Sequence, residues 1–401
     1  MDGSLPRFYE FFAGGGMARA GLGSKWECLF ANDIDAVKSV SYLNNWGADS
    51  LVVADVNSIK IDQLPDARAD LAWASFPCQD LSVAGNMLGM DASTRSGVFW
   101  SFWRVISSLA AAGKEPWIIG LENVVGWLKA RSGLDFAGVC EMMSLEGYQI
   151  GAVLLDASWF LPQSRPRVFL IGAHRDLKIP TWMRLPGPDD AWHASPVIDA
   201  WKSLSPIAQQ RWVWWRVQRP MGPGLKFENI MEDVPDGQGW DSLNKTSHIL
   251  SLMDKVNLAK IESAKASGSK VFGTLYRRVR TDAAGIRSQR AEVRFDGLAG
   301  CLRTPSGGSS RQAMLAVHGT KVRSRLITSR EAARLMGLPD SYRLPLRIND
   351  AYHLLGDGVA VPVVRHLAER IFEPLLSGRL RLDDGFVSEH NRKKLIASLD
   401  I

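Results

Sequence analysis

Short apolar runs alternate with helix-like stretches through roughly the first 178 residues, and this alternation restricts the fold more than any other feature of the chain. Extended apolar or aromatic runs occupy residues 7–13, 26–33, 51–55, 71–75, 117–122 and 168–173. Helix-like segments separate them, such as the one starting at Met17 and the apolar stretch Val98–Leu109 after Gly97. Short buried strands alternating with helices predict an α/β fold, a parallel sheet covered on both faces. Open sheets of this kind bind ligands beyond the carboxyl ends of their strands. The residues at those ends are therefore the first candidates for function.

Phe12-Ala13-Gly14-Gly15-Gly16 lies between the first strand and a helix. A glycine turn there suits a cofactor loop, although neither a dinucleotide fingerprint nor a Walker loop is present. Asn32-Asp33-Ile34-Asp35 ends the second strand. An acid at that point either accepts hydrogen bonds from ribose hydroxyls or caps the next helix. Ala54-Asp55-Val56 ends the third and can present a carboxylate to an adenine amino group. Phe76-Pro77-Cys78-Gln79 follows the fourth, where the proline stops the strand and leaves a cysteine at the lip of the sheet. A thiol with a pKa near about 8.5 must be activated before it serves as a nucleophile. Leu121-Glu122-Asn123-Val124 puts a carboxyl at the tip of a buried strand, which is costly unless the group is paired or used. In Gln163-Ser164-Arg165-Pro166-Arg167 the two arginines share one side of an extended chain, where they can hold a carboxylate, a phosphate or a base carbonyl. Together these groups describe a thiolate beside a nucleotide-like cofactor.

A length of 401 residues suits about two to three domains. The four cysteines, Cys28, Cys78, Cys140 and Cys301, have no metal-ligand spacing and read as free thiols, so no metal is expected. No apolar run is long enough to span a bilayer and no secretory pattern opens the sequence, so a cytoplasmic protein with no membrane partner is expected. The net charge is only +6, but residues 277–325 hold eleven Lys or Arg against Asp282, Glu292 and Asp296. Such a block is either a polyanion surface or a solvated face. After His174 the strand–helix rhythm gives way to prolines and tryptophans. Trp201, Trp212, Trp214 and Trp215 read as a helical stretch supplying the aromatic core of a second domain, with base stacking as the alternative. Ser263–Lys270 reads as a loop. Thr304–Arg311 is a glycine-serine loop that either lets backbone approach a partner or serves as a linker. Thr328 with Glu331 signals a capping box, and Val361–Leu376 reads as a final amphipathic helix.

These motifs resemble those of the DNA (cytosine-5) methyltransferases. The matches are Phe12 to Gly16, Pro77-Cys78-Gln79, Glu122-Asn123-Val124, Gln163 to Arg167, Arg330 to Gly337 and Gly356-Asp357-Gly358-Val359, in the family's order. One departure is Asp357, which stands where the family usually has asparagine. The resemblance implies a Rossmann-like S-adenosylmethionine-dependent sheet over residues 1–180, completed by 349–401. It implies a target recognition domain and hinge over 181–348. S-adenosylmethionine would bind at Phe12, Gly14, Gly16, Asp33, Ile34, Asp55, Val56, Pro77, Asp357 and Val359. Cys78, Glu122, Arg165 and Arg167 would be catalytic, with Cys78 attacking C6 of a flipped-out cytosine. Gln79, Ser82, Arg277, Arg278, Arg280, Arg303 and Arg311 would contact double-stranded DNA. The implied setting is a monomer in a prokaryotic or phage context, at the nucleoid, accompanied or not by a restriction endonuclease it does not stably bind. The alternative is a transfer-RNA cytosine-5 methyltransferase with the same core.

Overall fold

Each of the six apolar runs forms a strand: β1 Arg7–Phe11, β2 Glu27–Asp33, β3 Leu51–Val53, β4 Leu71–Ala74, β5 Ile118–Val124 and, after an intervening β6 at Tyr148–Asp156, β7 Pro166–His174. The alternation of runs does not announce β6. The computed structural model describes residues 5–77, 97–220, 222, 225–232, 239–281, 285, 287–304 and 311–377. Cys78, Gln79, Ser82, most of the glycine-serine loop and the charged tail lie outside the described residues, as does the side chain of Arg280.

The strands form one sheet in the order β3-β2-β1-β4-β5-β7-β6. The neighbours among β1 to β5 are parallel. β7 runs against both β5 and β6, so the sheet is mixed rather than wholly parallel. The cause is the connection: the link from β6 to β7 contains only a 3-10 turn, whereas a parallel pair needs a crossover of a dozen or more residues. Helices carry four of the other five connections, α1 Met17–Leu22, α2 Ala36–Trp46, α3 Val98–Ala111 and α4 Leu134–Leu145, while β3 reaches β4 through 3-10 turns. Phe8, Trp73 and Phe169 pack on one face of the sheet, while Tyr9, Phe11, Phe102 and Leu121 pack on the other. Both faces being covered explains the near-continuous apolar runs. The chain passes from β1 to β2 on one side, and β4 lies on the other. The carboxyl ends of β1 and β4 therefore flank a switch point, the usual ligand crevice of such sheets.

The last helices return to this sheet. Residues 361–367 run through a π-helical turn into 373–377. They dock beside α1, with Trp26 Nε1 donating to Glu373 Oε1 (3.1 Å) and Arg365 Nη1 to the Leu22 carbonyl (2.5 Å). The Thr328 capping box forms, with Thr328 Oγ1 accepting from Glu331 N and a Glu331 carboxylate oxygen accepting from Thr328 N. Glu331 also holds Arg325 through two contacts of 2.6 and 2.7 Å, both side chains fully buried.

A second, antiparallel sheet is ordered 287–294, 271–281, 313–318, 321–326. Its core gathers Ile249, Met253, Ile261, Leu275, Val293 and Leu315. The tryptophan-rich stretch differs from expectation. The helix through Trp201 ends at Lys202, and Trp214–Trp215 form a short strand. Trp212 pairs with Ile150 of β6, and Trp215 Nε1 donates to the Gly151 carbonyl (3.1 Å). Trp212 and Trp215 are buried and Trp201 and Trp214 partly buried, and they pack on the first sheet rather than inside the second unit. Residues 263–266 finish the helix Lys255–Ala266 instead of opening a loop. That helix is fixed at its start by Asp254 and along its length by Asn257, which accepts from Val293 N.

Candidate active site

Beyond β1, β4 and β5 lies a cavity of about 240 Å³, lined among others by Phe12, Gly14, Asp33, Ile34, Pro77, Glu122, Asp357 and Val359. The backbone is bent to make it. Phe12 has φ 57°, unusual for a residue with a side chain, and Gly14 has φ 55°. A bulky residue held in that region costs about 1–3 kcal/mol and persists only where its surroundings enforce it. Here Gly14 N donates to Asp33 Oδ2 and Asp35 N donates to Asp33 Oδ1, both at 2.7 Å. The Asp33 carboxylate is thereby fixed at the edge of the cavity, and burial pushes its pKa up. Gly15 admits no side chain, because its carbonyl accepts from Tyr342 Oη (2.7 Å) and Trp46 Nε1 (3.0 Å) and the Tyr342 hydroxyl fills the place of a Cβ.

Three residues expected at the cofactor do not line this cavity. Gly16 faces the Trp46 ring, so its missing side chain serves packing. Asp55 is exposed and caps the next turn, accepting from Asn57 N (2.8 Å). Val56 is buried in the apolar layer with Phe11 and Phe30.

Glu10 lines the cavity although no motif points to it. It is 1% exposed, and burial pushes its pKa up to about 8. Its Oε1 accepts from Arg19 N (3.3 Å), whereas Oε2 has no partner among the described residues. A signal was present: an acid inside the run Arg7-Phe8-Tyr9-Glu10-Phe11 carries the same desolvation cost that marks Glu122.

At the other end, Arg167 Nε stands 3.1 Å from Glu122 Oε1. Asn123 Nδ2 donates to the Phe76 carbonyl (3.2 Å), tying the tip of β5 to the segment that leads to Cys78. Arg165 and Arg167 converge as expected, but they hold different groups. Arg165 Nη2 donates to the carbonyls of Gly356 and Gly358, both at 2.7 Å, and Nη1 to that of Leu302 (3.0 Å). Both guanidinium groups reach Cys301 Sγ, at 3.2 and 3.8 Å. Burial pushes the Cys301 thiol up, but Arg165, Arg167 and Arg303 outweigh it and hold the thiol below its ordinary range.

Arg277, Arg278, Arg303 and Arg311 line a separate cleft of about 510 Å³, together with Ser164 and Cys301. Arg278 faces Glu292 (3.6 Å) and lies over the Tyr276 ring. The basic block is thus brought to the edge of the Arg165–Arg167 end. Among the described residues no group of acids, histidines and cysteines has metal-binding geometry, and no helix is long and apolar enough to cross a membrane.

The sequence model of the C-5 cytosine-specific DNA methylases matches residues 6–373. The chain belongs to that family. As a member it is a DNA (cytosine-5) methyltransferase, and the relatives support this. It is 26% identical to Type II methyltransferase M1.ScrFI of Lactococcus lactis subsp. cremoris, over 92% of this chain and 78% of the relative. It is 25% identical to Type II methyltransferase M.NlaX of Neisseria lactamica, over 91% and 96%. It is 24% identical to Type II methyltransferase M.HhaI of Haemophilus parahaemolyticus, over 91% and 94%. The fold is shared with the S. pombe Dnmt2 methyltransferase (TM-score 0.54, 18% identity, 93% of this chain and 99% of that one). It is shared too with the methyltransferase EhMeth of Entamoeba histolytica (TM-score 0.60, 15% identity, 93% and 99%).

Proposed function

We propose that this methylase transfers the methyl group of S-adenosylmethionine to C5 of a cytosine flipped out of a specific duplex DNA sequence. The observation that carries the reading is the shared cavity: the Glu122–Arg167 pair and the cofactor-loop residues Phe12, Gly14 and Asp33 line one space, next to Pro77. The residues suit the cofactor. Carboxylates of Glu10 and Asp33 match a ligand with cationic groups and hydroxyls, one Glu10 oxygen has no partner among the described residues, and Phe12, Ile34 and Val359 supply apolar walls. S-adenosylmethionine, when bound, supplies an electrophilic methyl group on a sulfonium.

In this mechanism the Cys78 thiolate adds to C6 of the ring, forming the S–C6 bond and making C5 nucleophilic. Glu122 hydrogen-bonds or protonates N3 as charge develops there. Arg167 keeps Glu122 oriented, and Arg165 fixes the end of the helix Ile348–Asp357 against the same site. After methyl transfer a base takes the C5 proton, the C5=C6 bond re-forms and the thiolate leaves. The target base must leave the helix, because its C6 face is stacked inside it, at a cost of a few kcal/mol.

We assign sequence recognition to residues 181–325, with the basic strands 271–281 and 287–294 facing DNA. The protein would act as a monomer in a prokaryotic or phage-infected cytoplasm, with or without a companion endonuclease. Methyl transfer to matched DNA and RNA versions of one sequence tests the substrate. Label in duplex DNA supports the proposal, and label only in RNA replaces it with a transfer-RNA enzyme.

A further inference from the structure

Asp357, the residue that departs from the family's usual asparagine, does not stand alone at the cofactor cavity. Lys38 Nζ lies 2.6 Å from its Oδ2, although the two residues are 319 positions apart. Both line the cavity. Lys38 sits in the first turn of α2, where Asp35 caps the helix by accepting from Val37 N and Lys38 N. From there the lysine stem passes over the glycine turn, with its Cδ 4.0 Å from the place of a Cβ on Gly14. The side chains of Lys38 and Asp357 are 18% and 40% exposed, so the pair lies at the mouth and not in the interior.

Asp357 is the last residue of the helix Ile348–Asp357, and that helix end is anchored where Arg165 holds the carbonyls of Gly356 and Gly358. It also reaches α2 through Lys38. A second carboxylate, Asp35 Oδ2, stands 3.9 Å from the same ammonium. Lys38 can therefore let go of Asp357 while keeping a partner on its own helix. Exposed ion pairs hold weakly, which suits a contact that must open and close.

We infer that Lys38 and Asp357 form a clasp across the mouth of the cofactor cavity that retards the exchange of bound cofactor. The pair is a positioning device and takes no part in methyl transfer. The inference rests on the cofactor reading above. The two fail differently: a wild-type protein that binds no S-adenosylmethionine defeats that reading, whereas a clasp without effect shows only in the variants.

The test is the release rate of S-adenosylmethionine chased by excess S-adenosylhomocysteine, followed by tryptophan fluorescence. Trp73 lines the cavity and Trp46 bonds to its glycine turn. Lys38→Met and Asp357→Asn should each speed release by roughly 1.5- to 5-fold, and the double variant should be no faster than either single one. Lys38→Arg should keep slow release. Raising salt from about 0.05 to about 0.5 M should speed wild-type release and leave Lys38→Met unchanged. The salt arm uses the native chain, so it stands even if a variant folds poorly. Equal rates in wild type and Lys38→Met, or single effects that multiply in the double variant, would overturn the clasp.

Discussion

Replacing Glu10 with glutamine should make the protein more stable, and only above the ordinary carboxylate range. The carboxyl is fully buried beside the cofactor loop, and burial moves its titration from 4.5 to about 8. Arg19, which donates its backbone N–H and adds an attractive charge, offsets part of that cost, while Asp33 adds to it. In the unfolded chain Glu10 ionises near 4.5, whereas in the folded protein it holds its proton until about pH 8. The unfolded state therefore binds fewer protons in that interval, and stability falls as pH rises through it. At about 1.4 kcal/mol per pH unit, the penalty reaches roughly 3 kcal/mol at pH 7 and levels off at roughly 4–5 kcal/mol above pH 8. Glutamine has the same shape and no charge to desolvate. Urea-unfolding curves of wild type and Glu10→Gln, collected from pH 4.5 to pH 9 without cofactor, should coincide at the acid end and diverge toward alkali in favour of the variant. A difference that stays constant across the range would refute the buried-carboxyl argument. A ligand that brings positive charge to Glu10 should shrink the gap, because the ionised carboxylate then gains a partner.

Asp33→Ala should weaken S-adenosylmethionine binding by about 1–3 kcal/mol in calorimetry, since it removes a charged acceptor that Gly14 and Asp35 hold in place; unchanged affinity would remove Asp33 from the site. Arg167→Ala, which strips Glu122 of its guanidinium partner, should lower kcat by about 10²–10⁴-fold if the acid must be oriented to act at N3, and a kcat equal to wild type would place Arg167 outside the chemistry. Alanine replacements at Arg277, Arg278, Arg303 and Arg311 should separate into two groups. Those contacting phosphate should lower the salt slope of DNA binding by about one unit each, and those reading guanine should relax one target position at a cost of about 1–3 kcal/mol. If none of the four changes affinity or site choice, the cleft they line does not receive DNA.

Local signals survived the passage from sequence to structure better than pairings between distant segments. The runs ending at residues 13, 33, 75 and 122 lie within two residues of the strand ends at Phe11, Asp33, Ala74 and Val124, because apolar runs bounded by glycine, proline or acids end near where burial ends. The capping box at Thr328 was legible because it spans four residues. That Glu331 also pairs with Arg325 was not, since nothing in the spacing separates a buried partner from an exposed one. The reversal of β7 depended on a short connection after β6, and β6 itself was obscured by its glycine, Gly151. The tryptophans pack on the first sheet and not in a second domain's core, and the chain turns extended after Trp212 because that residue pairs with β6, a long-range contact that the spacing of the tryptophans does not reveal. Lys38 and Asp357 meet only because α2 and the last motif close over one cavity.

The most direct test of the central claim combines Cys78 with a suicide substrate. Duplex DNA carrying 5-fluorocytosine at the target, incubated with S-adenosylmethionine, should give a stable protein–DNA adduct, because fluorine at C5 cannot leave as a proton. The same protein should place 5-methylcytosine in unmodified DNA. Cys78→Ala should lose both activities, while Cys140→Ala, which alters a thiol buried in the core, should keep them. Normal methylation by Cys78→Ala, or an adduct that forms without Cys78, would contradict the account.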